Sequence, residues 1–207
     1  QIAADLAPGG VVGIRHRYVR LNPDEEWIEA DKPAFVSLFG IWSKKSGYAR
    51  LNLNTGRDEH VVWQDKSVQR LSKAKDADVF MYVAEAFDDS PDVFVGGLEL
   101  KEAKQVTKTN PFQSNYAWGR AELVEYKSER GERLQGALFY PAGYELGKKY
   151  PMVVYLYEKL SDGLHRYSAP SERDYYNITA FSQEGYFVLR PDILFQPREP
   201  GRSVVDC

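Results

Sequence analysis

A single cysteine, Cys207, occurs among the 207 residues, which excludes an internal disulfide framework and any multi-cysteine zinc site. One thiol says nothing about the redox compartment. Histidine is scarce too: His16, His60 and His165 are the only three, and no spacing between them suits a metal. Neither a metal nor a cofactor is expected. No apolar run approaches the roughly 18 to 20 residues that a membrane span needs. The first ten residues, QIAADLAPGG, lack the basic and apolar regions of a signal peptide. Charge of one sign is also in short supply. The formal net charge is −3 with lysine and arginine scattered, so nucleic acid is not an expected partner. What the chain does contain is 43% hydrophobic and 14% aromatic residues, enough for a folded core. Its length fits one large domain or two small ones.

The first half reads as short strands separated by turns. In AFVSLFGIWSKKSGYARLNL, residues 34–53, two β-prone runs (35–42 and 48–53) flank the polar stretch 43–47, and Gly47 is expected to supply a positive φ there. Further strands are expected in HVVWQ, SVQRLSKAK, VFMYVAEAF, DVFVGGLEL and KQVTK, with a turn at Asp88-Asp89-Ser90-Pro91. This rhythm implies an antiparallel all-β architecture. Units of 34–79 and 79–110 are compatible with propeller blades, whose period is about 40 to 50 residues. A β-sandwich would give much the same pattern.

After TNPFQSNYAWG, residues 109–119, the pattern changes. Two strands, 122–127 and 134–140, flank a polar turn. YPMVVYLY (150–157) is a near-continuous apolar run that suits a strand covered on both faces. A crossover helix is expected over 172–184, with Ser171 as N-cap and Gly185 as its stop. YFVLRP (186–191) then reads as a second buried strand, completing a strand-helix-strand unit of an α/β sheet.

Four stretches, in this order, resemble the prolyl oligopeptidase family, particularly its dipeptidyl-peptidase-like and acylaminoacyl-peptidase-like branches. They are QVTKTNP (105–111), YKSERGERLQGALFYPAGY (126–144), KKYPMVVYLY (148–157) and GYFVLRPDILFQPREPGRS (185–203). The resemblance implies a mixed fold, all-β propeller blades over 1–118 followed by the start of an α/β-hydrolase domain over 119–207. It further implies a serine peptidase that cleaves short peptides through an acyl-enzyme. Ser, Asp and His act together in such a site, with an oxyanion hole stabilising the tetrahedral intermediate. No G-x-S-x-G occurs in the chain, so the triad is expected beyond Cys207 and the segment itself is expected to be inactive.

Within the chain, Tyr157 is the candidate site residue. A tyrosine at the end of this strand donates to the oxyanion hole in the dipeptidyl-peptidase-like enzymes, and a phenol can donate while neutral near pH 7. The family follows the strand with a Gly-rich segment ending in Pro, where this chain has Glu158-Lys159-Leu160. Tyr157 also has a plainer reading, as a core aromatic beside Tyr155. Ser203, in Gly201-Arg202-Ser203-Val204-Val205, lacks the second glycine of a nucleophile elbow and is expected to be a helix N-cap with Asp206 at N3. His60 is expected on a strand and His165 in a loop. Asp24-Glu25-Glu26 reads as a solvated turn, and Tyr167, Tyr175 and Tyr176 as pocket or core aromatics. Self-association through exposed sheet edges is expected. Two other classes remain open: a non-enzymatic β-rich interaction module and an α/β-hydrolase esterase.

Overall fold

The computed structural model describes residues 13–194, 196 and 198–205. The chain forms two compact units. One comprises the chain up to Glu85 together with Pro91–Thr109; the other comprises Ala86–Ser90 and the chain from Asn110 onward. Three four-stranded sheets are present among the described residues, and none closes on itself.

The first sheet is the meander β1 (Ile14–Tyr18), β2 (Ala34–Gly40), β3 (Ser46–Leu51) and β4 (Asp58–Gln64). The second is the meander β5 (Ser67–Lys73), β6 (Phe80–Ala86), β7 (Asp89–Gly96) and β8 (Lys104–Gln105). Alternation is cleanest in β2, where Ala34, Val36 and Leu38 are buried and the residues between them are not. Tyr48, Val61 and Val62 from the first sheet pack with Val68, Phe80 and Tyr82 from the second in one core. Two hydroxyls fasten the sheets as well. Ser46 Oγ donates to Lys66 O and accepts from Val68 N, each at 2.7 Å, and Tyr48 Oη accepts from Leu71 N at 3.0 Å.

Several sequence expectations change here. β1 was not anticipated, because IRHRY shows no apolar alternation; it is a half-exposed edge strand. The four-stranded units therefore run from Ile14 to Gln64 and from Ser67 to Gln105, not over 34–79 and 79–110. Gly47 is not the residue with positive φ. That conformation falls on Lys44, at φ 59°, whose buried side chain returns to donate to Ile41 O at 2.8 Å. Gly47 lies inside β3, where a Cβ would sit 1.9 Å from Val62 O, so glycine is needed for strand approach. The β6–β7 loop is only Phe87-Asp88, with Ser90 and Pro91 already in β7.

The second unit is built on a mixed sheet of β9 (Ala121–Lys127), β10 (Arg133–Phe139), β11 (Met152–Val154) and β12 (Phe187–Pro191). Its order is β11-β12-β10-β9. The last strand in sequence is thus inserted between β10, to which it is antiparallel, and β11, to which it is parallel. Helix α1 (Ile178–Gln183) lies between β11 and β12 in the chain. Phe87, Ala137, Phe139, Leu164 and Val188 form the core, with Ile178 and Phe181 of α1 against it.

Helix α1 is half the expected length. Ser171 Oγ accepts from Arg173 N and Asp174 Oδ1 from Tyr176 N, so both side chains tie turns instead of opening a helix. The N-cap is Asn177, whose Oδ1 accepts from Ala180 N at 2.8 Å. Gly185, at φ 85°, ends the helix as expected. β11 is three residues, not eight, and it is not covered on both faces: Met152 and Val154 are about half exposed. A second short helix, α2 (Pro200–Val205), follows. No helix among the described residues is long and apolar enough to cross a membrane.

Candidate functional site

Parallel strands put their carboxyl ends on one side, and in open α/β sheets ligands bind outside those ends where the strand order switches. In this chain the segment leaving β11 carries Tyr155, Leu156 and Tyr157. The segment leaving β12 carries Asp192. Tyr155 N donates to Leu189 O at 3.0 Å, one rung beyond the β11–β12 ladder. The chain then bows outward through Leu156 and Tyr157 and is fastened again where Ile193 N donates to Glu158 O at 3.1 Å. Tyr157, 61% exposed, sits at the top of this bow with no hydrogen bond to its hydroxyl among the described residues. It is therefore not a core aromatic.

Asp192 fixes the far side of the bow. Its carboxylate is buried and accepts from Ser161 N at 2.8 Å and from Ser161 Oγ at 2.6 Å. Its backbone N–H donates to Gln135 O at 2.7 Å, and its carbonyl accepts from Tyr126 Oη. A buried carboxylate with two donors is a strong, geometrically specific anchor. Sequence reasoning missed it, although an aspartate directly after an apolar strand was a visible signal. Arg190 was missed for the same reason: it interrupts the apolar run of β12, half-buried, and burial holds its guanidinium below the usual arginine range.

The other sequence candidates separate. Ser203 is not an N-cap; it lies within α2, buried, with its hydroxyl donating to Glu199 O at 2.7 Å and accepting from Gln196 N at 2.8 Å. Pro200 occupies the first turn instead, and Asp206 lies outside the described residues. Tyr167 and Trp118 stack at 5.8 Å and line an apolar cavity of about 300 Å³ with Phe112 and Tyr116. Tyr175 is 95% exposed and lines nothing. Tyr176 packs on Tyr155, and burial pushes its hydroxyl up to about 12. His165 lies just after the 3-10 turn Ser161–Gly163, half-buried.

In the first unit, Asp24-Glu25-Glu26 is a turn wrapped around Arg20, which donates to Asn22 O, Pro23 O and Glu25 O. His16 and His60 each place Nε2 3.2 Å from Asp58 Oδ2, a proximity that strand pairing creates and spacing could not reveal. Among the described residues no group of three His, Cys, Asp or Glu is arranged to hold a metal ion.

No protein-family model matches the chain, and no curated protein matches it in sequence. Solved structures do match in fold. A variant of AtxE2 isopeptidase with astexin3-dC4 bound has a TM-score of 0.61 at 15% identity, over 91% of this chain and 32% of that one. Porphyromonas gingivalis dipeptidyl peptidase 4 gives 0.62 at 14% identity, over 86% and 24%. Pyrococcus horikoshii acylaminoacyl peptidase gives 0.56 at 14% identity, over 77% and 23%. The chain thus spans about a quarter to a third of the length of these proteins. At the level of the fold the sequence resemblance holds: the chain is built like part of the dipeptidyl peptidases and acylaminoacyl peptidases of the prolyl oligopeptidase family.

Proposed function

We propose that the chain is part of a serine peptidase of the prolyl oligopeptidase type, which hydrolyses peptide bonds of short peptides through an acyl-enzyme. In this reading residues 1–118 are propeller blades and residues 119–207 are the first portion of an α/β-hydrolase domain. The observation that carries it is the bow after β11, which presents Tyr157 outward at the carboxyl end of the parallel strands. A phenol there can donate to the oxyanion of a tetrahedral intermediate, and both ends of the bow are fastened to the chain around β12, which limits its reorganisation. Among the described residues the hydroxyl of Ser203 is engaged within α2, and in this reading the nucleophile and base lie elsewhere. Those groups belong to the remainder of the parent protein.

Catalysis in the parent tests the role of Tyr157. Tyr157→Phe should lower kcat by about 10² to 10³, the magnitude of losing one oxyanion donor, with little change in KM. Because the hydroxyl has no hydrogen-bond partner among the described residues, the unfolding midpoint should stay where it is. An unchanged kcat would remove Tyr157 from the mechanism.

A further inference from the structure

Two buried donors in the second unit have no acceptor among the described residues. Arg190 Nε and the Tyr176 hydroxyl are both buried, and neither has a hydrogen-bond partner among the described residues. Leaving such groups unsatisfied is costly, and more so for a cation. Tyr155 links the two residues: its N–H donates to Leu189 O at 3.0 Å, beside Arg190 on β12. Tyr155, leaving β11, stacks on Tyr176 with ring centroids 4.3 Å apart. A Cβ built on Gly163 would lie 3.6 Å from Arg190 Nη1, so the guanidinium reaches the turn that follows the bow. The titratable groups close enough to act on Arg190 are Tyr176, Tyr155 and Arg166. None is an anion at neutral pH, and Arg166 adds a second positive charge.

Buried polar atoms are hydrogen-bonded as a rule, and a guanidinium drawn from water favours a charged acceptor. None of the groups that act on Arg190 electrostatically carries a negative charge, and the cluster lies toward the carboxyl ends of β11 and β12, the side on which open α/β sheets take ligands. We propose that Arg190 and Tyr176 form a binding site for a peptide carboxylate. One guanidinium and one hydroxyl match the two oxygens of a single carboxylate, and its one negative charge neutralises the one half-buried cation. The carboxylate can be a peptide's C-terminus or an acidic side chain. Only the word peptide rests on the peptidase reading; the anion site rests on the orphaned donors and is tested without catalysis.

The test is equilibrium binding to the 207-residue chain at fixed ionic strength, by calorimetry with thermal unfolding as a second readout. The probes are triglycine, triglycine amide, N-acetyl-aspartate amide and inorganic phosphate. A carboxylate probe should bind and raise the unfolding midpoint, while triglycine amide should do neither. Response to triglycine, to the aspartate derivative or to both identifies the source of the carboxylate. Arg190→Gln should weaken that binding roughly tenfold or more, yet leave the unliganded midpoint unchanged or higher, because an unpaired buried charge has been removed. Tyr176→Phe should weaken binding without lowering the midpoint. Equal response to triglycine and its amide, stronger binding of phosphate, or undiminished carboxylate binding in both variants would overturn the proposal.

Discussion

At the scale of single residues, the candidate site depends on polar groups placed where apolar ones would pack. Asp192 holds Ser161 through its N–H and its hydroxyl, and so closes the bow that presents Tyr157. Asp192→Ala would strand both donors in a buried place, and should cost about 3 kcal/mol in denaturant unfolding. Asp192→Asn keeps one acceptor and should cost less. A second residue-scale prediction concerns acid. The hydrogen bond from Tyr140, and then Arg120, holds the Glu122 carboxyl below the usual range. Stability from a depressed carboxyl is present above its unfolded value, about 4.3 for Glu, and is lost as pH falls through the folded one. Unfolding followed from pH 5 to pH 2 should therefore show a shallower acid loss in Glu122→Gln than in the parent sequence. The sequence made Tyr157 visible because strand end and residue type coincide. It did not make Arg190 and Tyr176 visible as a pair, because helix α1 and the turn after it separate them in the chain.

At the scale of elements, the strands with alternating or β-branched runs were legible, and β2 to β10 fall close to where the pattern puts them. Errors gathered where side chains compete with the backbone. Ser171 and Asp174 looked like a helix start, but their oxygens close turns, and the helix waits for Asn177. Asn177→Ala should cost about 1 to 2 kcal/mol, since it removes the cap and also the donor to Ala169 O. Ser171→Ala, by contrast, should be nearly neutral; chemical denaturation of the two variants measures the difference. The apolar run 150–157 misled for another reason. Apolarity reports a wish for burial, and β11 keeps Met152 and Val154 about half exposed at the edge of its sheet, as is Leu156 just after it.

At the scale of the whole molecule, that edge and face carry a consequence. β11 has one strand neighbour among the described residues, and Leu156 joins Val124, Leu189, Pro191 and Ile193 around an apolar cavity of about 390 Å³. Unpaired strand edges beside exposed apolar surface promote association. The 207-residue chain should show concentration-dependent sedimentation, reduced in Val154→Lys, which charges the edge. The architecture as a whole was legible as a change of rhythm from short antiparallel strands to a strand-helix-strand unit. The proposed chemistry comes only from family resemblance, because one exposed tyrosine and one buried aspartate do not announce a reaction.

We propose above all that this chain is part of a serine peptidase whose nucleophile lies outside it. Labelling with a serine-directed fluorophosphonate, mapped by mass spectrometry on the 207-residue chain and on its parent protein, tests this most directly. The account predicts no adduct within residues 1–207 and one stoichiometric adduct on a serine after residue 207, in a Gly-x-Ser-x-Gly context. Stoichiometric labelling within the chain, lost in Ser203→Ala, or a parent that takes no label at all, would contradict it.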